Sequence, residues 1–537
     1  MGRIPEAKTG SIDIYQPERV DTSPPLSAMI ADAQTNPPPA PPTPQRPPGT
    51  PPAIVAPTIT TPAGSSAIEQ TSEGTRPPAS LVASFDGLGH GFTGPHGSAT
   101  FRNPSDNSLA VGPKHVVQTV NSRMAIFTKD GTPVYGPAST NTVFRGFGGP
   151  CELRNNGDAV VRYDQLADRW LIVMPIFRRG TPRAGERDGP YSMCYALSVT
   201  SDPFGAYHRY EFLRPLFPDY PRPAIWPDGY YSPTSTGDDV IQKHACVVDR
   251  AKMLKGERAT EQCAVIDGVN FLNNADVDGK TLPPAGAPNI MIAAGGAQLK
   301  KVMEDDEVLV WTFHVDWTDP SKTTIAGPEK IAVAPYRYLC DGQLTHCVPQ
   351  PGTDSRLDAQ GDKIMQRLVY RRLGKQESIV AVHSVNTAAG GGGVRWYEFR
   401  VDQRKDANRT LTLYQQGTYA PDTPTRGAYR WMASPAMDKR GNIGIGYSFG
   451  GIPHFAGQRF AARLATDPKG QLTLRETVLV EGAGVQHAMR WEDYTQTAID
   501  PVDDCTIWYV GDYLKKDVTA YSSRIGAFRL PGCSGAK

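Results

Sequence analysis

The residues of this chain most able to do chemistry are acidic, and they recur at one place in a repeated pattern. Asp106 (Pro104-Ser105-Asp106-Asn107), Asp158 (Asn155-Asn156-Gly157-Asp158), Asp219 (Pro218-Asp219-Tyr220-Pro221) and Asp493 (Trp491-Glu492-Asp493-Tyr494) each stand shortly before an apolar strand that runs into a turn. Arg367 (Met365-Gln366-Arg367) and Arg430 (Ala428-Tyr429-Arg430-Trp431) hold the matching offset in two further copies. Equal offsets from equal turns become equivalent positions in equivalent units, so the six side chains are expected on one face near a pseudo-symmetry axis. Tyr220, Trp431, Trp491 and Tyr494 are the neighbouring aromatics. Carboxylates accept hydrogen bonds from hydroxyls while aromatic faces stack on sugar rings. This makes Asp106, Asp158, Asp219, Arg367, Arg430, Trp431, Asp493 and Tyr494 a candidate site for a glycan or small polar ligand. Clustered carboxylate oxygens also suit a hard cation such as Ca²⁺. Two carboxylates facing one another can act as general acid and base on a glycosidic bond, and an Arg can hold a carboxylate substrate. The same residues equally fit a structural role, with Asp capping loops and Asp–Arg pairs locking repeats in register.

No other catalytic pattern competes. The chain has no GxSxG elbow, HExxH, P-loop or EF-hand loop. Gly390-Gly391-Gly392-Gly393 precedes Val394-Arg395-Trp396-Tyr397 and reads as a hairpin loop. Of ten histidines, His383 and His487 are the best placed, because His487 leads into Arg490 and Glu492 on the approach to the acidic positions. Neither is expected to be catalytic.

The elements that must position these residues are short strands. From about Leu81 onward, runs of Val, Ile, Tyr, Phe and Trp alternate with Gly, Pro, Asn and Asp. One unit recurs: an apolar strand, a turn with Asp, Pro or Gly, then a strand carrying aromatics. Its copies are Leu109–Val117, Val160–Ile172, Ala224–Tyr231, a weaker Ala287–Ile292, Arg367–Val380, Ala436–Ile443 and Ala498–Trp508, spaced by roughly 50 to 80 residues. Such spacing fits one four-stranded blade per copy, which predicts an all-β, seven-bladed β-propeller over residues 81–537. A lone blade cannot bury both sheet faces, whereas a closed set can. A pair of β-sandwiches would need a mid-chain linker or Cys…Trp…Cys spacing, and neither is present. Helix is nearly absent; Asp249–Glu261 reads as one short helix in a loop.

Residues 1–80 differ in kind. They are poor in aromatics and rich in Pro, Thr, Ser and Ala, with the run Asn36-Pro37-Pro38-Pro39-Ala40-Pro41-Pro42-Thr43-Pro44. Polyproline II is the natural state of that run, and the composition predicts a disordered spacer dispensable for folding. Met1–Ile30 has no basic n-region followed by an apolar h-region, so no signal peptide is read. No apolar run reaches the roughly 20 residues that span a bilayer. With 56 basic and 55 acidic residues, the net charge of +1 argues against a nucleic-acid partner, and the chain is expected to be a monomer. The eight cysteines include no CxxC pair, and sequence neighbours pair naturally as 151–194, 246–263, 340–347 and 505–533. Four bridges point to an extracellular or periplasmic setting.

Several phrases resemble a family of large, mostly uncharacterised exported bacterial proteins. They are Phe147–Cys151, Tyr163–Trp170, Trp226–Tyr231, Leu282–Pro288, Phe313–Trp317, Gln415–Pro421 and Asp500–Cys505, in order over about residues 100–533. The resemblance implies export and a propeller-like fold and no particular activity. Two function classes therefore stand: a binding or scaffold module with a polar channel mouth, and a polysaccharide-active hydrolase or lyase using paired carboxylates there.

Overall fold

The computed structural model describes residues 11–29, 59–176, 191–215, 218–236, 242–266, 271–294, 306–343, 345–402, 409–421, 427–488 and 490–534. These residues form an all-β molecule. The strands run as successive antiparallel meanders whose first members are Ser108–Val111, Val160–Asp164, Ala224–Trp226, Asn273–Val277, Leu368–Leu373, Tyr429–Met437 and Gln496–Ile499. Each first strand lies beside the first strand of the next meander, and Gln496–Ile499 lies beside Ser108–Val111. Between two of them the contact is a parallel ladder, Ala275 opposite Leu368 through Val277 opposite Tyr370. The last meander is completed from the other end of the chain, since Ser80–Gly89 pairs with Ser522–Arg529. Among the described residues no helix is long and apolar enough to cross a membrane.

The repeated turn has a local cause. After the first strand, Asp164 accepts hydrogen bonds from the backbone N–H groups of Leu166 and Ala167, Asp438 from those of Arg440 and Asn442, and Asp500 from that of Val502. A short acidic side chain that bonds its own backbone two residues on reverses the chain tightly. The aromatic strand that follows then packs on the neighbouring meander. A Cβ on Gly112 would sit 2.4 Å from the ring of Trp170, and Phe460 stacks on Phe528 at 4.0 Å. The apolar cores accordingly lie between successive sheets. One joins Ile126 and Val117 to Trp170 and Ile172; another joins Leu109 and Val116 to Trp508 and Val510. All eight cysteines are paired, as Cys151–Cys194, Cys246–Cys263, Cys340–Cys347 and Cys505–Cys533. The helix expected over Asp249–Glu261 is a single turn, Arg250–Met253, capped by Asp249, which accepts from the Lys252 N–H at 3.1 Å.

Three sequence expectations need correction. Part of the 1–80 stretch is ordered. Asp13–Tyr15 adds to the edge of the strand Glu261–Ile266, and Arg19–Thr22 to the edge of Tyr207–Arg214. Leu26 and Met29 are buried beside Phe144, and Asp21 is bridged to Arg209 at 2.6 Å. Edge pairing uses main-chain groups, so average side-chain composition does not forbid it. The run Asn36–Pro44 lies outside the described residues. In the fourth repeat the first strand is Asn273–Val277, and the stretch read as the anchor belongs to the second strand, Asn289–Ala294. In the sixth repeat, pairing between Tyr429–Met437 and Ile443–Gly451 is interrupted between Trp431 and Ser434. That bulge displaces the equivalent position from Arg430 to Met432.

Candidate functional site

The turns leading into the first strands share a backbone feature. Asp106, Asp158, Tyr220, Met432 and Asp493 all have left-handed φ, between 46° and 69°. Asp tolerates this region better than most residues because its side chain bonds nearby backbone. At these turns the acidic side chains of Asp106, Asp158, Asp219 and Asp493 lie near one another.

Asp158 sits at the centre, within hydrogen-bonding reach of both Asp106 and Asp219. Burial, then the Asp158 charge, hold the carboxyls of Asp106 and Asp219 well above the usual carboxylate range, with Asp493 adding to both. Asp106 is 1% exposed; its Oδ2 accepts from Asn121 Nδ2 at 2.6 Å, while its Oδ1 has no donor. Asp493 accepts from Gln360 Nε2 at 2.7 Å and from Arg490 Nη2. Arg490 also donates through Nε to Asp358 Oδ2 at 2.7 Å. Asp358 is fully buried; burial pushes its carboxyl up to about 7, against the pull of Arg490. Beneath this layer Tyr220 and Tyr494 stack at 4.8 Å, both phenol oxygens buried without a hydrogen-bond partner. Arg222 lies over the Tyr220 ring at 4.7 Å. Burial first, then Asp106 and Asp158, raise the Tyr494 phenol.

The other predicted members lie elsewhere. Arg367 is buried, bonded to Asp276 at 2.6 Å and Asp278 at 2.5 Å. It lines a narrow interior space of about 20 Å³ with Arg162 and Gln496. Arg430 is a buried partner of Glu476 at 2.8 Å, over the rings of Phe449 and Tyr419. Trp431 is fully buried against Trp491, with ring centres 6.3 Å apart, and offers no stacking face. The register corrections explain Arg430 and Trp431; Arg367 immediately precedes its strand and points along the interior. His383 is enclosed by Tyr336, Tyr338 and Tyr397, and His487 is exposed.

Sequence reasoning missed Asp358, Gln360 and Asp512, and noticed Arg490 and Glu492 only in passing. Asp358 and Gln360 come from a loop outside the repeat, so no periodic signal marks them. Glu492 and Asp512 form a second buried acidic pair, in which burial pushes Asp512 up to about 7. Beside the acidic group lies a cleft of about 440 Å³ lined by Phe101, Asn103, Gln486, Thr100, Thr519 and Tyr521, among others. Asn103 donates to the Arg490 carbonyl at 2.9 Å, and the buried Tyr521 phenol is raised by burial and by Asp512 and Asp106. Tyr521 thus forms the partition between cleft and carboxylates. The three groups Cys246, Glu261 and Cys263 also lie close together, but the cysteines are bridged and Arg214 pairs with Glu261 at 2.6 Å, so that cluster is no metal site.

No protein-family profile and no curated protein matches the chain. Among solved structures it is similar to polysaccharide lyase Uly1, at 12% identity over 86% of this chain and 100% of that one, with a TM-score of 0.35. It is also similar to the exo-β-1,3-galactanase 1,3Gal43A from Clostridium thermocellum, at 10% identity over 84% and 97%, with a TM-score of 0.29. The WD40 domain of SCAP from fission yeast matches at 9% identity over 78% and 81%, with a TM-score of 0.31. Likenesses at TM-scores of 0.29 to 0.35 assign no function to this chain.

Proposed function

We propose that the chain is a seven-bladed β-propeller whose acidic mouth, with the adjoining cleft, binds a polar, hydroxyl-bearing ligand such as a glycan outside the cytoplasm. The fold reading is supported by the chain-order adjacency of the first strands and by the N-terminal strand that completes the final sheet. Four disulfides support an oxidising compartment. The observation that carries the function is the convergence of Asp106, Asp158, Asp219 and Asp493 beside a cleft walled by Phe101, Tyr521, Asn103 and Gln486. Aromatic edges and amides next to surplus hydrogen-bond acceptors match a polyol better than an anion or a lipid chain.

A second reading is favoured by one specific feature. Asp106 and Asp219 hold protons to higher pH than ordinary carboxyls while sharing a site with further carboxylates. Carboxyls whose environments separate their titrations can divide acid and base roles on a glycosidic bond. Incubating the purified protein with a glycan panel, and measuring both retention and released products, separates the two. Retention without products supports the binding module, products support the hydrolase or lyase, and neither outcome on any glycan sinks both.

A further inference from the structure

One wall of the cleft is fastened by a histidine. Residues 90–103 form that wall: His90 and Gly91 line the cleft where the segment begins, and Ala99, Thr100, Phe101 and Asn103 where it ends. Between these two stretches lies a small hairpin, Thr93–Gly94 paired with Gly97–Ser98. Hydrogen bonds tie the segment to the rest of the fold at both ends and at the hairpin. At one end the His90 N–H donates to the Tyr521 carbonyl at 2.8 Å, and at the other the Asn103 amide donates to the Arg490 carbonyl at 2.9 Å. At the hairpin the tie is His96. Its N–H donates to the Gly136 carbonyl at 3.1 Å, and its ring Nδ1 accepts from the Gly136 N–H at 3.0 Å. Gly136 belongs to Pro133–Ser139, the last strand of the first meander. The approach is close: a Cβ on Gly94 would lie 2.3 Å from the Gly136 oxygen. The His96 ring meets Tyr135 edge-on with centres 4.9 Å apart, and Tyr135 in turn faces Phe204 at 6.4 Å.

A ring nitrogen that accepts a hydrogen bond carries no proton. The neutral imidazole with its hydrogen on Nε2 satisfies the Gly136 N–H, whereas the imidazolium has N–H at both positions and sets a donor against a donor. We propose that His96 is a proton-operated latch on the cleft: its neutral ring fastens residues 90–103 to the strand Pro133–Ser139, and its protonation in mild acid frees that wall. Burial already lowers the His96 imidazole, and among the described residues no charged side chain offsets it. The titratable group facing the ring is Tyr135, whose phenol is raised by burial and stays neutral. Beyond Phe204 lies His115, lowered by burial and by Lys114 and Lys129, with Asp202 opposing. The sign follows: the latched state binds fewer protons than the released one, so the latch is whole above ~6.5 and weakens as pH falls below it. The consequence for ligand retention rests on the reading of the cleft as the ligand site; the latch itself does not.

Amide hydrogen exchange on the full chain, without saccharide, tests the latch. Protection of residues 90–103 and of the Gly136 amide, corrected for intrinsic exchange, is followed from pH 7.5 to 5.0. It should fall by about tenfold in the native protein, since each pH unit below ~6.5 shifts the equilibrium by at most about tenfold. The strand Ile443–Gly451 should keep its protection, which marks the opening as local. His96→Asn puts an amide oxygen in place of Nδ1, an acceptor that does not titrate, and should hold protection constant over the same range. If that variant does not fold, slow deuteration of the His96 ring C–H in native protein, read by mass, decides the matter: His96 should titrate below ~6.5. Protection independent of pH in the native protein would overturn the proposal. An equal fall in His96→Asn, or a His96 that titrates at or above ~6.5, would overturn it too. Saccharide retention at pH 7.5 and 5.0 is scored separately; a protein that retains none at either pH sinks the ligand reading and leaves the exchange result standing.

Discussion

Replacing Arg490 by Gln is the most informative single change at the mouth. The substitution keeps hydrogen-bonding capacity and removes the charge that faces two carboxylates, Asp358 at 2.7 Å and Asp493. Breaking a fully buried pair typically costs about 3–5 kcal/mol, because the surviving charge is left without compensation. The Arg490 side chain is 39% exposed, so solvent screens part of that field, and about 1–2 kcal/mol is the expected loss. The loss must depend on pH. Asp358 sits at about 7 even with Arg490 beside it. At pH 8 it is mostly ionised in the native protein and depends on the cation; at pH 5 it is neutral and does not. Urea unfolding of Arg490→Gln should therefore show the full loss at pH 8 and less than half at pH 5. Asp358→Asn added to Arg490→Gln should recover stability at pH 8, giving a coupling energy in the double-mutant cycle. Equal losses at both pH values, with no coupling, would refute the view that Arg490 acts by charge on a buried carboxyl.

Other outcomes follow from the same structure. Deleting residues 1–29 should destabilise the protein by several kcal/mol, since it uncovers Arg209 and removes buried Leu26 and Met29; an unchanged urea midpoint would show that the two edge strands contribute nothing. Reducing or mutating the Cys505–Cys533 bridge, with a separation of 28 residues, should cost about 3.5 kcal/mol by loop entropy, and peptide mapping without reductant should recover the linked pair. In EDTA, stability should fall between pH 5 and 7.5. Asp358 and Asp512, both near 7 in the fold against ~3.9 unfolded, hold protons that the unfolded chain has released, with a slope of up to about 1.4 kcal/mol per pH unit for each. Glu476 acts in the opposite sense, since Arg430 and Arg459 hold it down to about 2 against its own burial; its contribution is present above ~4.3 and is lost only as pH falls toward 2. A stability that rises between pH 5 and 7.5 would contradict the assignment.

Much of this architecture is legible in the sequence because it repeats. The Asp-capped turn is local chemistry, so Asp164, Asp438 and Asp500 announce three of the seven meanders without tertiary information. Neighbouring cysteines pair as their spacing suggests because each bridge closes within a small stretch of chain. Counting offsets from those turns finds Asp106, Asp158, Asp219 and Asp493, and it fails where the backbone departs from the repeat. The bulge at Trp431–Ser434 moves Arg430 out of register, and the fourth unit is anchored one strand late. Asp358 and Arg490 are invisible to such counting, since one lies in an irregular loop and the other takes its meaning only from a partner 132 residues away. The N-terminal edge strands were masked by proline-rich surroundings, although main-chain pairing asks little of side chains.

The central claim is that the cleft and the acidic group beside it form one ligand site. Phe101→Ala combined with Tyr521→Ala removes the aromatic walls of the cleft and leaves the acidic group in place. Calorimetric titration of the best-retained saccharide into native protein and into this variant, each with its circular dichroism spectrum as a folding check, is the most direct test. The account predicts about a tenfold or greater loss of affinity with the spectrum unchanged, the scale expected for losing an aromatic contact. Undiminished affinity in a folded variant would place the ligand elsewhere and contradict it.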